Sequence, residues 1–242
     1  MIRAATDNDM RDLYGSEAAI RIVAAYETYG LNTRFLQLFA DDADTRMSLM
    51  DGVAVVHAPR GLTDEWLCFI SMQPQVRVVR TDAASAATLA TAWNTTYRSG
   101  DFMTYTRDWS VAAIHPQTAR YEDLYAFLSD YFVLPPFDSW YVDVSHRVRH
   151  GCCHIATVVR EDRVVCNAMS VAETENDALL GAVATHPQWR RQGLAVGCIG
   201  YLVDLLSDSR RIHISPVDDR AKQLYEKIGF SVSGSWGEVT RR

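Results

Sequence analysis

The chain has 242 residues, 48% of them apolar, and a formal net charge of -6. That is enough chain to bury a core of ordinary size in one large or two small domains, which excludes a disordered protein. Only Lys222 and Lys227 among its 24 basic residues are lysines, no basic tract occurs and no apolar run reaches membrane-spanning length, so neither nucleic acid nor a membrane is an expected partner.

The N-terminal stretch is polar and mixed in charge, without the apolar core of a signal peptide, and a cytoplasmic protein is expected. Its five cysteines, Cys68, Cys152, Cys153, Cys166 and Cys198, are odd in number and form no C-x-x-C pair, as suits free thiols in a reducing compartment. Taken in chain order, residues 34–40 read as a strand and 41–44 as a turn. Residues 46–50 and 53–58 read as two strands around Asp51-Gly52, a strong hairpin signal. Thr63 is placed to cap a helix running to Met72. A strand over 76–80 and a helix over 83–93 follow. The aromatic segment 94–150 contains one predicted helix, 121–132, stopped by Pro135-Pro136. Strands at 152–159 and 164–171 flank the Glu161-Asp162 turn, and a third covers 179–184. A buried helix over 193–206, a strand over 211–215, a helix capped by Asp218 or Asp219 and a last strand from Phe230 complete the order. In that second helix Ala221, Leu224, Tyr225 and Ile228 make one apolar stripe, and Gly229 suits a left-handed closing position. Antiparallel hairpins leading into a strand–helix–strand crossover predict a mixed α/β sheet. The N-terminal half echoes this order. We divide the chain into residues 1–97 and 98–242, the latter with a linker helix over about 98–136.

Chemistry concentrates at Val183-Ala-Thr-His-Pro-Gln-Trp-Arg-Arg-Gln-Gly-Leu-Ala-Val196. Here a strand ends, a short loop turns and a helix begins at a glycine. The first N–H groups of a helix have no intrahelical acceptor, and the helix dipole adds positive charge there. Gly193 and Ala195 leave the backbone open to a diphosphate, and Arg190 and Arg191 bring full positive charge. An ordinary strand-to-helix turn with surface arginines has the same short pattern.

Context separates the two. Arg190, Gly193 and Ala195 resemble the fixed positions of motif A of the GNAT superfamily of N-acetyltransferases, [Q/R]-x-x-G-x-[G/A]. Ala221, Leu224, Tyr225, Gly229 and Phe230 resemble its motif B, A-x-x-L-Y-x-x-x-G-F. The resemblance spans about residues 150–236. It implies a GNAT fold, built here as two tandem GNAT-like halves of which only the C-terminal one binds coenzyme A. It implies that Val183, Ala184 and Thr185 hold the pantetheine arm between splayed strands. It further implies that Arg190, Arg191, Gln192, Gly193, Leu194, Ala195 and Val196 hold the pyrophosphate. Tyr225 matches the tyrosine that protonates the departing thiolate. Asp218 stands where many members carry a cofactor-contacting asparagine, and aspartate lacks the amide donor.

The implied reaction is transfer of an acetyl group from acetyl-CoA to a primary amine, by direct attack through a tetrahedral intermediate. The acceptor is a small molecule or a peptide, and a homodimer stays open. The other readings are a non-catalytic acyl-CoA-binding module and a structural protein. No carboxylate falls in the middle of strand 179–184. Glu173 is the candidate base, while Glu173, Glu175 and Asp177 all read first as a solvated turn. His150, Cys152 and His154 would share one strand face, but no fourth ligand accompanies them and no metal is expected. Cys153 would face a core. His146, Arg147 and Arg149 form a basic surface cluster, and Trp140, Tyr141 and Trp236 are candidates for acceptor-pocket lining or for packing. The N-terminal equivalent of the loop, His57-Ala-Pro-Arg-Gly-Leu62, lacks the spacing, and Pro59 removes a donor.

Overall fold

A computed structural model describes residues 1–11, 13–31, 33–106 and 114–241 of the chain. In order its elements are β1 (Arg3–Ala4), α1 (Asp7–Met10), α2 (Glu17–Tyr29), β2 (Leu36–Ala40), β3 (Arg46–Met50), β4 (Val53–His57), α3 (Asp64–Met72), β5 (Val78–Thr81), α4 (Ala83–Ala92) and β6 (Tyr97–Tyr105). There follow α5 (Tyr121–Ser129), α6 (Phe137–Arg149), β7 (Ile155–Arg160), β8 (Arg163–Glu173), β9 (Asp177–Thr185), α7 (Leu194–Leu206), β10 (Arg211–Ile214), α8 (Asp219–Lys227) and β11 (Phe230–Thr240). Two compact units result. One takes residues 1–103, 215–223 and 232–242; the other takes 104–214 and 224–231.

In the first unit β2, β3 and β4 pair antiparallel, and α3 then leads to β5, which lies parallel to β4. Asp51 and Gly52 turn the β3–β4 hairpin with φ of 50° and 80°, the left-handed values that Asp-Gly accepts cheaply. Thr63 caps α3 as its sequence predicts, its side chain accepting from the Trp66 N–H. Trp66 is fully buried with Ile70, Met47, Val56 and Val79, and its indole N–H donates to Asp41 at 2.7 Å. The C-terminal strand belongs to this unit too. Gly237–Thr240 of β11 pairs antiparallel with Val78–Thr81 of β5, and Val239 is fully buried in the same core. The division of the chain is therefore not the single cut at 97/98 that the sequence suggests.

The second unit has the same order of elements. Helices α5 and α6 precede the antiparallel strands β7, β8 and β9; α7 then leads to β10, parallel to β9. Glu161 and Asp162 turn the β7–β8 hairpin with φ of 51° and 57°. Leu124, Leu128, Trp140, Val144 and Met169 form one core, and α7 packs on β7, β8 and β9.

Three sequence expectations change. The linker helix over 98–136 is instead strand β6 and the shorter helix α5, with residues 107–113 outside the described part. Glycine at 100 is what admits β6, since a Cβ there would lie 2.8 Å from the Trp236 indole nitrogen. Helix α5 ends before Pro135, but Pro136 also leads into a second, unexpected helix, α6, where a missing N–H costs nothing. His150 consequently closes α6 and Cys152 lies in the turn after it, so His150, Cys152 and His154 share no strand face. Among the described residues no cluster of His, Cys, Asp and Glu could hold a metal. Cys153 is core, 2% exposed, and burial pushes its thiol up to about 11.

Candidate functional site

The site grows out of β9. Its ladder with β8 runs in register from Cys166–Thr185 to Asn167–Ala184 and resumes at Met169–Gly181, so Ala182 and Val183 oppose Ala168 alone. This β-bulge puts Ala182 in the left-handed region, at φ 49°. The buried Asn167 amide holds it, donating to the Ala182 carbonyl at 2.9 Å. On its other edge β9 pairs with β10 only through Asp177–Leu180 against Arg211–Ile214. Residues 181–185 run on past the last rung, so the two strands open as a fork. Val183, Ala184 and Thr185 lie along that unpaired edge, where an extended ligand can take the place of a strand.

After Thr185, Pro187–Trp189 makes one short turn of 3-10 helix. Arg190 returns to the strand end, its Nε donating to the Thr185 carbonyl at 3.1 Å. Arg191 and Gly193 then take φ of 63° and 76°. For arginine this conformation costs about 1–2 kcal/mol; for Gly193 it is free of that penalty. Together they start α7 abruptly. No side chain caps α7, and its first intrahelical bond runs from the Gly197 N–H to the Gly193 carbonyl at 2.9 Å. The N–H groups of Leu194, Ala195 and Val196 thus lack intrahelical acceptors. Residues 190–193 are exposed, and a Cβ built on Gly193 would meet nothing within 4 Å, so the approach to these donors is open. Uncapped N–H groups, a helix dipole and two guanidinium groups form a donor set fit for a diphosphate. The corresponding helix of the first unit, α3, differs in this respect, because the Thr63 side chain accepts from one of its N-terminal donors, the Trp66 N–H.

Tyr225 sits in α8, 6% exposed, its ring 6.1 Å from that of Phe230. Asp218 caps the same helix, accepting from the Ala221 N–H at 2.7 Å. Glu173 and Asp177 are not solvated turn residues: they are 3% and 4% exposed, and of the three carboxylates only Glu175 is exposed. Burial follows from their partners. Glu173 Oε1 meets His154 Nδ1 at 2.7 Å and accepts from the Ser170 hydroxyl, while Oε2 has no hydrogen-bond partner among the described residues and lies 4.0 Å from Arg210 Nε. Asp177 accepts from Arg211 through both carboxylate oxygens at 2.8 Å and from His213 Nε2 at 2.8 Å. Burial alone would raise the Asp177 carboxyl, but these bonds outweigh it and hold the group below the usual aspartate value. His213 Nδ1 in turn meets Thr104 Oγ1 at 2.9 Å. The sequence does not single out Thr104 or His213; the available signal is a lone histidine between Ile212 and Ile214 in an apolar strand.

Arg147 pairs with Asp143 within α6, and His146 stacks near His150, which leaves the basic cluster on a helix face. Trp140 is packing, 6% exposed among Tyr121, Tyr125 and Phe137. Trp236 belongs to the first unit.

Residues 118–230 match the model of the acetyltransferase (GNAT) family. No curated protein matches the chain in sequence. Solved structures do match in fold. A GCN5-related N-acetyltransferase from Sphaerobacter thermophilus is similar at 17% identity and TM-score 0.62, over 100% of this chain and 96% of that one. A GNAT-family acetyltransferase from Colwellia psychrerythraea is similar at 14% identity and TM-score 0.56, over 100% of both chains. A tandem GNAT protein from the clavulanic acid biosynthesis pathway is similar at 12% identity and TM-score 0.57, over 100% of this chain and 98% of that one. The fork of β9 and β10 and the uncapped start of α7 thus lie within a matched family segment, and the chain carries a GNAT-family acetyltransferase domain at residues 118–230.

Proposed function

We propose that the protein transfers an acetyl group from acetyl-CoA to a primary amine, with a single cofactor site in the second unit. The observation that carries this reading is the continuity of unpaired β9 backbone with an uncapped, arginine-flanked helix start. One stretch of chain thereby offers hydrogen bonds to an amide-bearing arm and then to a diphosphate. Val183, Ala184 and Thr185 would hold the arm, and residues 190–196 the diphosphate. A bound acyl thioester supplies the activated carbonyl; backbone N–H groups near the Ala182 bulge are suited to stabilising charge on its oxygen. The Tyr225 hydroxyl would donate to the departing sulfur, because a thiolate leaves more readily when protonated. Asp218 already satisfies Ala221, so its role is that of a helix cap. Glu173 is too deeply buried to take a proton from the acceptor directly.

The first unit does not bind the cofactor in this reading, since its equivalent helix is capped by Thr63 and preceded by Pro59. The net negative charge favours a cationic acceptor. No helix among the described residues is long and apolar enough to cross a membrane, and the five cysteines are free, in keeping with a reducing compartment such as the cytoplasm. The test is thiol release from acetyl-CoA across a panel of amines, amino acids and peptides. Amine-dependent release supports the reading; cofactor binding without release from any acceptor contradicts it.

A further inference from the structure

Behind the fork, along the paired part of the β9–β10 ladder, runs a line of polar side chains between apolar neighbours. Asp177 opens β9, His213 lies one residue before the last β9–β10 rung, and Thr104 stands at the end of β6, the strand beside β10. Asp177 and His213 are 4% and 6% exposed, whereas Thr104 is half-buried. The chain of hydrogen bonds therefore runs from the hydroxyl of a half-buried residue to a sealed carboxylate. Its proton positions follow from the partners. An ionised carboxylate only accepts, so His213 Nε2 carries the proton donated to Asp177. When the ring carries only that proton, Nδ1 is the acceptor and the Thr104 hydroxyl the donor. Arg211, on the same carboxylate, keeps Asp177 ionised. Among the described residues, Asp177 from β9 and Arg211 from β10 are ionisable groups that meet the ring or its partner, while β6 contributes the hydroxyl.

We propose that Thr104, His213 and Asp177 are the proton relay that deprotonates the acceptor amine. The inference rests on the acyl-transfer reading above. An ammonium acceptor gives one proton to Thr104 Oγ1 as the threonine proton passes to His213 Nδ1. The imidazolium so formed is stabilised by Asp177. The freed amine forms the N–C bond, the C–S bond breaks, and the sulfur leaves as a thiol with a proton from Tyr225. The second amine proton is lost on collapse to the amide, and His213 and Tyr225 return to their starting states by exchange with water. One acyl thioester and one ammonium ion thus give one amide, one thiol and one proton. Thr104 touches the substrate; His213 and Asp177 act through it as positioning residues. Glu173, on β8 opposite Ala178, is already engaged by His154 and Ser170.

The test uses the full chain, acetyl-CoA and the amine giving the fastest thiol release. kcat/KM is followed against pH in Thr104→Val, Thr104→Ser and His213→Gln, with coenzyme A affinity measured in each. Thr104→Val should lose about a hundredfold at neutral pH, recover towards the pKa of the free amine, and bind coenzyme A as before. Thr104→Ser should keep the parent profile. A structural role alone would lower activity equally at every pH. Should His213→Gln fail to fold, the two threonine variants decide. A parent profile retained in Thr104→Val overturns the relay while leaving acyl transfer standing. Absence of release from the unaltered protein overturns the acyl-transfer reading and the relay with it.

Discussion

Tyr225 shows how one residue serves two demands. Its position on the apolar stripe of α8 buries the ring against Phe230, and the same stripe is what makes it readable from sequence. A tyrosine can bury its ring and still present its hydroxyl. Tyr225→Phe keeps the packing and removes only the hydroxyl, so turnover should fall by about tenfold or more with coenzyme A affinity nearly unchanged. Steady-state kinetics beside calorimetry will check this, and unchanged turnover removes Tyr225 from the mechanism. Residues whose role depends on a distant partner are less legible. Asp177 and Glu173 lie in a polar stretch and read as solvated, yet Arg211, His213, His154 and Ser170 bury them. Ser170 alone shares the strand of the carboxylate it meets; Arg211, His213 and His154 come from elsewhere in the chain, and no local pattern announces them.

Elements whose ends carry their own chemistry are the ones the sequence reveals. Asp51-Gly52, Thr63 and Gly229 mark turns and caps, and the structure forms a left-handed hairpin turn, a Thr63 cap and φ 99° at Gly229. The helices α2 and α6 and the strand β6 escape because their signals compete. Pro135-Pro136 reads as a stop although proline is tolerated before a helix, and β6 is interrupted by Gly100 and largely half-exposed, so its alternation is faint. Helix α7 is legible, but not the reason for its glycine at 197. A Cβ there would come within 2.3 Å of Ile114 Cγ2. Helix propensity alone predicts that Gly197→Ala gains about 1 kcal/mol. The contact predicts instead a loss of roughly 1–3 kcal/mol, reversed when Ile114 is also replaced by alanine. Denaturant unfolding of the unaltered chain and these two variants distinguishes the outcomes.

On the scale of the whole molecule, the repeated order of elements can be read in advance, while the partner of the last strand cannot. Strand β11 pairs with β5 some 160 residues earlier, a non-local match that no periodicity encodes. The charges also act together at this scale. Burial would raise Glu17, Asp177 and Glu238, but arginine, histidine and serine partners outweigh it and hold all three below their ordinary values. A carboxylate with a depressed folded-state pKa stabilises above its unfolded value and loses that stabilisation as pH falls through the folded one. Thermal stability should therefore hold from neutrality down to about pH 5 and decline below about pH 4; a melting temperature that rises on acidification would oppose this account. If one loop, residues 190–196, makes the acyl-CoA site in a chain whose halves share an order of elements, then calorimetric titration of the full chain with acetyl-CoA should give one site per chain, weakened by added salt as Arg190 and Arg191 are screened. Two sites, or no binding at millimolar ligand, would exclude a single site at this loop.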